Sequence, residues 1–324
     1  MGDALLEDPD RAHAFGITDE NWEAVLFDRL HLLRASYPNY QHLCQEQLQI
    51  PPDLTPLWEL WIPLAVGLHQ RRQALDRPLV QGILGGQGTG KTTMGAVLAL
   101  LLSHLGYPTL SLSLDDLYKP YVERQRLQEQ DPRLLWRGPP GTHEVSLGIE
   151  VLGQLRRGNT PVSVPRFDKS AHQGQGDRTQ SETVQDIQVV LFEGWFVGMR
   201  PIDPHCFDDP PDPITTEADR TFARDMNDRL REYLPLWDCL DHLWVLTPVD
   251  YRLSQQWRRR AEQHRIARGG AGMTEGEVDR FVEYFWKALH PTLFLPPLLK
   301  TPGAVDLAIE IQADHTPGKV YRPA

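Results

Sequence analysis

Apolar residues along this chain fall into short concentrated runs, separated by longer stretches in which they recur every three or four positions. Leu79–Leu84, Thr109–Leu114, Asp186–Leu191 with Phe192, Leu240–Leu246 and Ala304–Ile311 read as strands, because each is continuously apolar or alternates with period two. The intervening stretches read as helices. Thr93–His104 is apolar with good helix formers, and residues 119–160 are charged and helix-prone around a break at Arg137-Gly138-Pro139-Pro140-Gly141-Thr142-His143-Glu144. Thr216 with Asp219 resembles a capping box, and Pro235 ends that helix. Tyr251–Arg268 is a basic helix, and Thr274 opens a long one to about Leu289. Pro161–Pro165 is short and extended, and the polar Gly174–Arg178 stretch reads as a loop. Strands alternating with helices predict an α/β fold with a doubly wound, mainly parallel sheet and covering helices.

Residues 1–78 precede the first strand. Trp22, Val25, Leu26, Leu30, Leu32 and Leu33 recur at roughly helical spacing. In a second helix Thr55 is placed to cap, Pro56 sits at the first position, and Leu57, Leu60, Trp61, Leu64 and Leu68 form one stripe. The expectation is a helical extension, 1–78, packed on a core domain, 79–324, with Arg71, Arg72 and Arg77 on a solvated helix end.

Composition narrows the function classes. A net charge of −11 over 324 residues leaves no basic excess for nucleic acid or an anionic membrane. No apolar stretch approaches the ~18 residues of a membrane span, and the acidic start MGDALLEDPDR lacks the apolar region of a secretory signal. Cys44, Cys206 and Cys239 are few and widely spaced, as expected of reduced thiols in a cytoplasmic protein.

One motif carries chemistry. After the first strand, Gly85-Gly86-Gln87-Gly88-Thr89-Gly90-Lys91-Thr92 fits G-x-x-x-x-G-K-[ST], with a helix following from Thr93. Glycines let successive backbone N–H groups curl round an anion, and the helix N-terminus adds partial positive charge. ATP phosphates are expected on residues 85–93, with Lys91 reaching the β- and γ-phosphates and Thr92 holding Mg²⁺. No histidine spacing suggests a resident metal.

The order of motifs resembles the P-loop kinases that phosphorylate small-molecule alcohols, namely uridine kinase, phosphoribulokinase and pantothenate kinase. Within that group the chain resembles the ATP-dependent D-glycerate 3-kinase family. The matching segments are GGQGTGKTT, SLDDLYKP, RGPPGTHE, PRFDKSAHQGQGDR, LFEGWFVGMRP and the Gly272–Val282 run, within about residues 55–315. Glu144 stands where many relatives have Asp, and Leu117 replaces a usual Phe. The resemblance implies phosphorylation of D-glycerate to 3-phosphoglycerate, in glycerate salvage and, where it operates, photorespiration.

The resemblance also implies roles. Asp115 would accept the proton of the attacking hydroxyl; the competing reading is a Mg²⁺ ligand or a loop cap. Asp116 is weaker, since strand alternation turns it to the other face. Glu193 would reach Mg²⁺ directly or through water. An acceptor carboxylate calls for a guanidinium fork, with Arg166 and Arg178 preferred, then Arg137 and His143. Each arginine could equally be a surface ion pair. Tyr118 and Asn227 complete the substrate list. Arg258 and Arg260 lie on the basic helix of a lid, about 251–275, with a hinge-like Gly269–Gly272 stretch. The alternative for that helix is a solvated charged face. Two rivals remain: a related kinase acting on pantothenate, a nucleoside or a pentose phosphate, and a nucleotide-dependent switch or chaperone. The switch is disfavoured by the lack of an N-K-x-D motif.

Overall fold

The computed structural model describes residues 7–158, 161–267 and 272–323. The start of the chain at 1–6, residues 159–160, the last residue of the basic helix and Gly269–Ala271 of the hinge-like stretch lie outside them. Among the described residues no helix is long and apolar enough to cross a membrane.

The main sheet contains β1 (Leu79–Gly85), β2 (Thr109–Ser113), β3 (Val189–Gly194), β4 (His242–Pro248), β5 (Leu307–Ile311) and β6 (Pro317–Tyr321). Their order is β6-β5-β4-β1-β3-β2, parallel except for the β5–β6 hairpin. Each of the five parallel strands covers most of a run legible in the apolar pattern; β6 does not. β3 starts at Val189 rather than Asp186, because Asp186 takes a positive φ of 55° that breaks the extended run. β2 ends at Ser113, because Leu114–Leu117 coils into a 3-10 turn capped by the Ser113 hydroxyl and the Asp116 carboxylate.

The central strands are apolar throughout because both sheet faces are covered. In β1, Val80 and Leu84 face one core, and Leu79 and Ile83 the other. The second core also takes Leu57, Leu60, Trp61, Leu64 and Leu68, so the N-terminal stripe is buried with Leu79, Ile83, Trp244 and Ile309. Burying each such leucine is worth ~1.5–3 kcal/mol. The cap of that helical segment is Asp53, whose carboxylate accepts from Thr55 N–H, rather than Thr55 itself.

The other helices used below are α1 (Lys91–His104), α2 (Tyr121–Gln130), α3 (Val145–Arg156), α4 (Glu217–Arg229), α5 (Leu253–Ala267) and α6 (Glu275–Ala288). Reciprocal capping boxes at Thr216/Asp219 and Thr274/Glu277 open α4 and α6. The polar stretch after Pro165 is more ordered than its composition suggests: Phe167–Asp168 pairs antiparallel with Asp177–Arg178.

The chain crosses from β3 over β1 to β4, so the strand order reverses at β1. Ligands of open α/β sheets collect at that reversal, beyond the carboxyl ends of the strands.

Candidate active site

The glycine loop leaves β1 at this reversal and runs into α1. Gly88 and Gly90 take φ of +78° and +85°, a region costly for side-chain-bearing residues. A Cβ on Gly88 would also lie 2.8 Å from Trp257 Cβ. Thr89 Oγ1 donates to Gly86 O at 2.9 Å and closes the loop. Lys91 Nζ donates to the same carbonyl at 3.0 Å and stands 3.9 Å from Glu193. Burial pushes its pKa down, against the opposing pull of Glu193 and Asp115. Thr92 is exposed at the mouth of the loop.

Strand register brings the acidic groups here. Glu193 pairs in register with Ile83 of β1 and with Ser113 of β2, and Asp115 follows Ser113 by two residues. Asp115 therefore lies at the same sheet end as Lys91, within its electrostatic field. Among the described residues no group of three or more His, Cys, Asp or Glu can hold a metal alone. The donors present, Thr92 and Glu193, suit a hard cation that takes its other oxygens from a nucleotide and water.

Asp115 is paired with Lys169, 2.6 Å away. Burial raises the carboxyl's pKa, but the Lys169 charge and hydrogen bond, with the Tyr118 phenol, hold it below the usual range. Lys169 comes from the Phe167–Arg178 hairpin. Asp116 points elsewhere: its carboxylate accepts from Ser113 N–H and pairs with Arg166 at 3.0 Å.

The arginines sort by their partners, and this corrects two expectations. Arg166 spends its fork on Glu182 (2.7 and 2.8 Å), Asp116 and Ser111 O. Its charge is neutralised twice, so it staples β2 to the hairpin and offers no free fork to an acceptor. Arg178 pairs with Glu144 at 2.6 Å and donates to Tyr118 O. Arg137 instead donates to Gly174 O at 2.7 Å and lies over the Tyr118 and Phe167 rings. Arg124 of α2, which sequence reasoning missed, donates to the carbonyls of Lys119, Gln175 and Gly176 and faces Tyr121 and Phe167. Neither has a carboxylate in ion-pair contact among the described residues, and burial and Arg137 both lower the Arg124 pKa. No signal marked Arg124, since α2 reads as a solvated charged helix.

Asn227 is a further correction. It is 1% exposed, and its amide is consumed by Ile202, accepting from N–H at 2.8 Å and donating to C=O at 3.0 Å. It pins a loop rather than contacting a ligand. His143 is corrected in kind: it is buried against Tyr118, and burial pushes its pKa down to about 3, so it carries no cation for a carboxylate.

On α5, positions two apart point about 200° away from each other, and the structure separates the two preferred arginines accordingly. Arg260 is exposed. Arg258 stacks on Phe281, pairs with Glu262 at 2.8 Å and leaves a buried Nε without a partner among the described residues. Burial lowers its pKa, and the Arg137 charge adds to the effect, which puts Arg258 in the same field as the acceptor-side arginine. Glu262, 4% exposed, also pairs with Arg265 and accepts from Met273 N–H, while Arg259 grips Asp279 of α6.

A largely apolar cleft, open to solvent, lies between Gly86–Gln87 and Trp195, Phe285 and Trp286. Its Trp195 wall donates to Gly138 O at 3.1 Å and so backs the segment that carries Arg137.

Comparison with known proteins follows the same lines. The chain is 32% identical over 255 residues to the chloroplastic D-glycerate 3-kinase of Arabidopsis thaliana, covering 74% of this chain and 54% of that protein. It thus spans about half the length of the plant relative. It is 30% identical over 234 residues to an uncharacterised kinase, mug58, of Schizosaccharomyces pombe, covering 67% of this chain and 82% of that one. The solved structure of D-glycerate 3-kinase from Cryptococcus neoformans superposes with a TM-score of 0.71 at 26% identity, over 80% of this chain and 96% of that one. No family model matches the chain.

Proposed function

The chain belongs to the ATP-dependent D-glycerate 3-kinase family of P-loop kinases, and from that premise we propose that it transfers the γ-phosphoryl group of ATP to the primary hydroxyl of D-glycerate. The products are 3-phosphoglycerate and ADP. One observation carries the reading: a paired carboxylate, Asp115, shares the electrostatic field of the phosphate-loop lysine, while Arg137 and Arg124 nearby make no ion pair among the described residues.

The backbone amides of residues 85–92 and Lys91 grip the triphosphate. Thr92 and Glu193 would hold Mg²⁺, which would supply neutralisation of phosphate charge. Asp115 accepts the proton of the acceptor hydroxyl as that oxygen bonds to the γ-phosphorus. The bond from the γ-phosphorus to the bridging oxygen breaks, and ADP leaves with its electron pair. Arg137 takes the acceptor carboxylate, and Arg258 neutralises charge on the transferring group. Because the reaction needs little covalent help, positioning and electrostatics supply most of the acceleration. We assign residues 1–78 to covering the sheet face away from this chemistry, not to a second activity.

The test is ADP release by the purified protein with Mg-ATP, offered D-glycerate, L-glycerate, pantothenate, uridine or a pentose phosphate in turn. Turnover specific to D-glycerate is expected. Preference for another acceptor would replace the substrate but keep the kinase, and slow release unaffected by any acceptor would return the reading to a nucleotide switch.

A further inference from the structure

Tyr233 is fully buried, far along the chain from the motifs, and its hydroxyl sits 2.8 Å from His143 Nδ1. The phenol oxygen accepts from Gly141 N–H at 2.9 Å. Among the described residues His143 Nδ1 is the acceptor within reach of the buried phenol proton, and a buried hydroxyl proton left unpaired is costly. The proton therefore goes to His143 Nδ1, which makes Nδ1 the acceptor and places the ring proton on Nε2.

His143 Nε2 is buried and has no hydrogen-bond partner among the described residues. The ring is held by stacking on Tyr118 (4.5 Å between centroids) and by edge contacts with Phe196 and Tyr233. Backbone pairing of Tyr118 with His143 fixes it beside Tyr118, whose phenol helps to hold the Asp115 pKa down. An orphaned buried donor is costly, by about 1–3 kcal/mol, and a buried polar atom left without a partner calls for a functional account.

We propose that Tyr233 is a positioning residue that locks His143 as the Nε2–H tautomer, and that this uncharged N–H is a donor to an oxygen of the acceptor substrate beside Asp115. A neutral donor suits this spot: it orients an acceptor oxygen without adding a cation that would compete with Lys169 for Asp115. The inference rests on the acceptor-kinase reading above for its second half only; the tautomer follows from the hydrogen bonds.

The test has two arms. In ¹⁵N spectra of the full-length protein with labelled histidine, His143 is expected to show a bare Nδ1 and a protonated Nε2 at pH 7. Tyr233→Phe, which removes only the hydroxyl, should mix the tautomers and raise the acceptor KM about tenfold, with the ATP KM unchanged. Should that variant fold poorly, two substitutions of His143 itself carry the test. His143→Gln sets an amide nitrogen near the Nε2 position and should keep most acceptor binding. His143→Asn, which reaches only the Nδ1 position, should lose it. A protonated Nδ1 in the wild type overturns the proposal. So does Tyr233→Phe with altered tautomers and an unchanged acceptor KM, or equal behaviour of the Gln and Asn variants. If no acceptor is turned over at all, the kinase reading fails and takes the donor role with it, while the tautomer measurement separately decides the role of Tyr233.

Discussion

The ammonium of Lys169 lies 2.6 Å from the carboxylate of Asp115. That contact sets the ionisation of the proposed base. Burial alone would favour the protonated acid, which cannot accept a proton, and the Lys169 charge reverses the balance. Lys169→Met should therefore move the acid limb of the kcat/KM–pH profile upward, because Asp115 then titrates with burial unopposed. Asp115→Asn should lower kcat by orders of magnitude while leaving ATP binding intact. An unshifted acid limb in Lys169→Met would show that another group governs it.

Arg137 and Arg166 make opposite predictions, although the sequence favours Arg166, with Arg178, over Arg137. Arg137→Ala should raise the acceptor KM at least tenfold, with the ATP KM little changed. Arg166→Ala should instead lower the urea midpoint, because it leaves the half-buried Asp116 carboxylate without its ion pair. Steady-state kinetics in both substrates, beside urea melts, separates the two. A larger acceptor-KM effect from Arg166 would reverse the assignment.

Arg258 and Glu262 are expected to act as a unit. Arg258→Ala should reduce kcat by ~100-fold if the guanidinium meets the transferring group. Glu262→Gln, which frees Arg258 from its 2.8 Å partner, should reduce kcat less, and the double variant should be no worse than Arg258→Ala alone. Additive losses would show that Glu262 only stabilises α5. Arg260→Ala, at an exposed position, should change kcat little.

Asn227→Ala should cost about 1–3 kcal/mol of stability, because two part-buried backbone groups of Ile202 lose their partners. Neither KM should move. A selective rise in the acceptor KM would restore Asn227 to the substrate site.

Stability should fall on mild acidification. Burial pushes His143 down to about 3 and His290 to about 4, whereas both titrate near ~6.5 in the unfolded chain. Below neutrality the unfolded state binds protons that the native state refuses, so stability is lost as pH falls from about 7 toward those values. The limiting slope is ~1.4 kcal/mol per pH unit for each histidine. Urea midpoints between pH 7.5 and 5 measure it. His290→Asn, which retains a capping side chain for Thr292, should flatten the slope by one proton; an unchanged slope would mean that His290 is charged in the native state.

Much of the fold was legible because it rests on short-range regularities. Leu79–Leu84 is apolar without interruption because both sheet faces cover it, and Gly88 and Gly90 announce backbone conformations that a side chain makes costly. β6 was missed because Gly318 and Lys319 break its apolar pattern; its pairing with β5 follows from a chain reversal. The Phe167–Arg178 hairpin was missed because its strands are two residues each, too short for alternation to show.

By itself, then, the amino-acid order determined the strand–loop–helix anion cradle, the alternation of strands and helices, and the family. Those follow from periodicity, glycine placement and local spacing, which any stretch of chain displays without its neighbours. The tertiary structure decided which charges are free. Arg166 looks as available as Arg137 in one dimension, but Glu182, Asp116 and Ser111 O occupy it, while among the described residues Arg137 meets a carbonyl and two rings and no carboxylate. Electrostatic energy depends on distance through space, and the partners that neutralise a guanidinium or set a ring's tautomer come from segments tens of residues away.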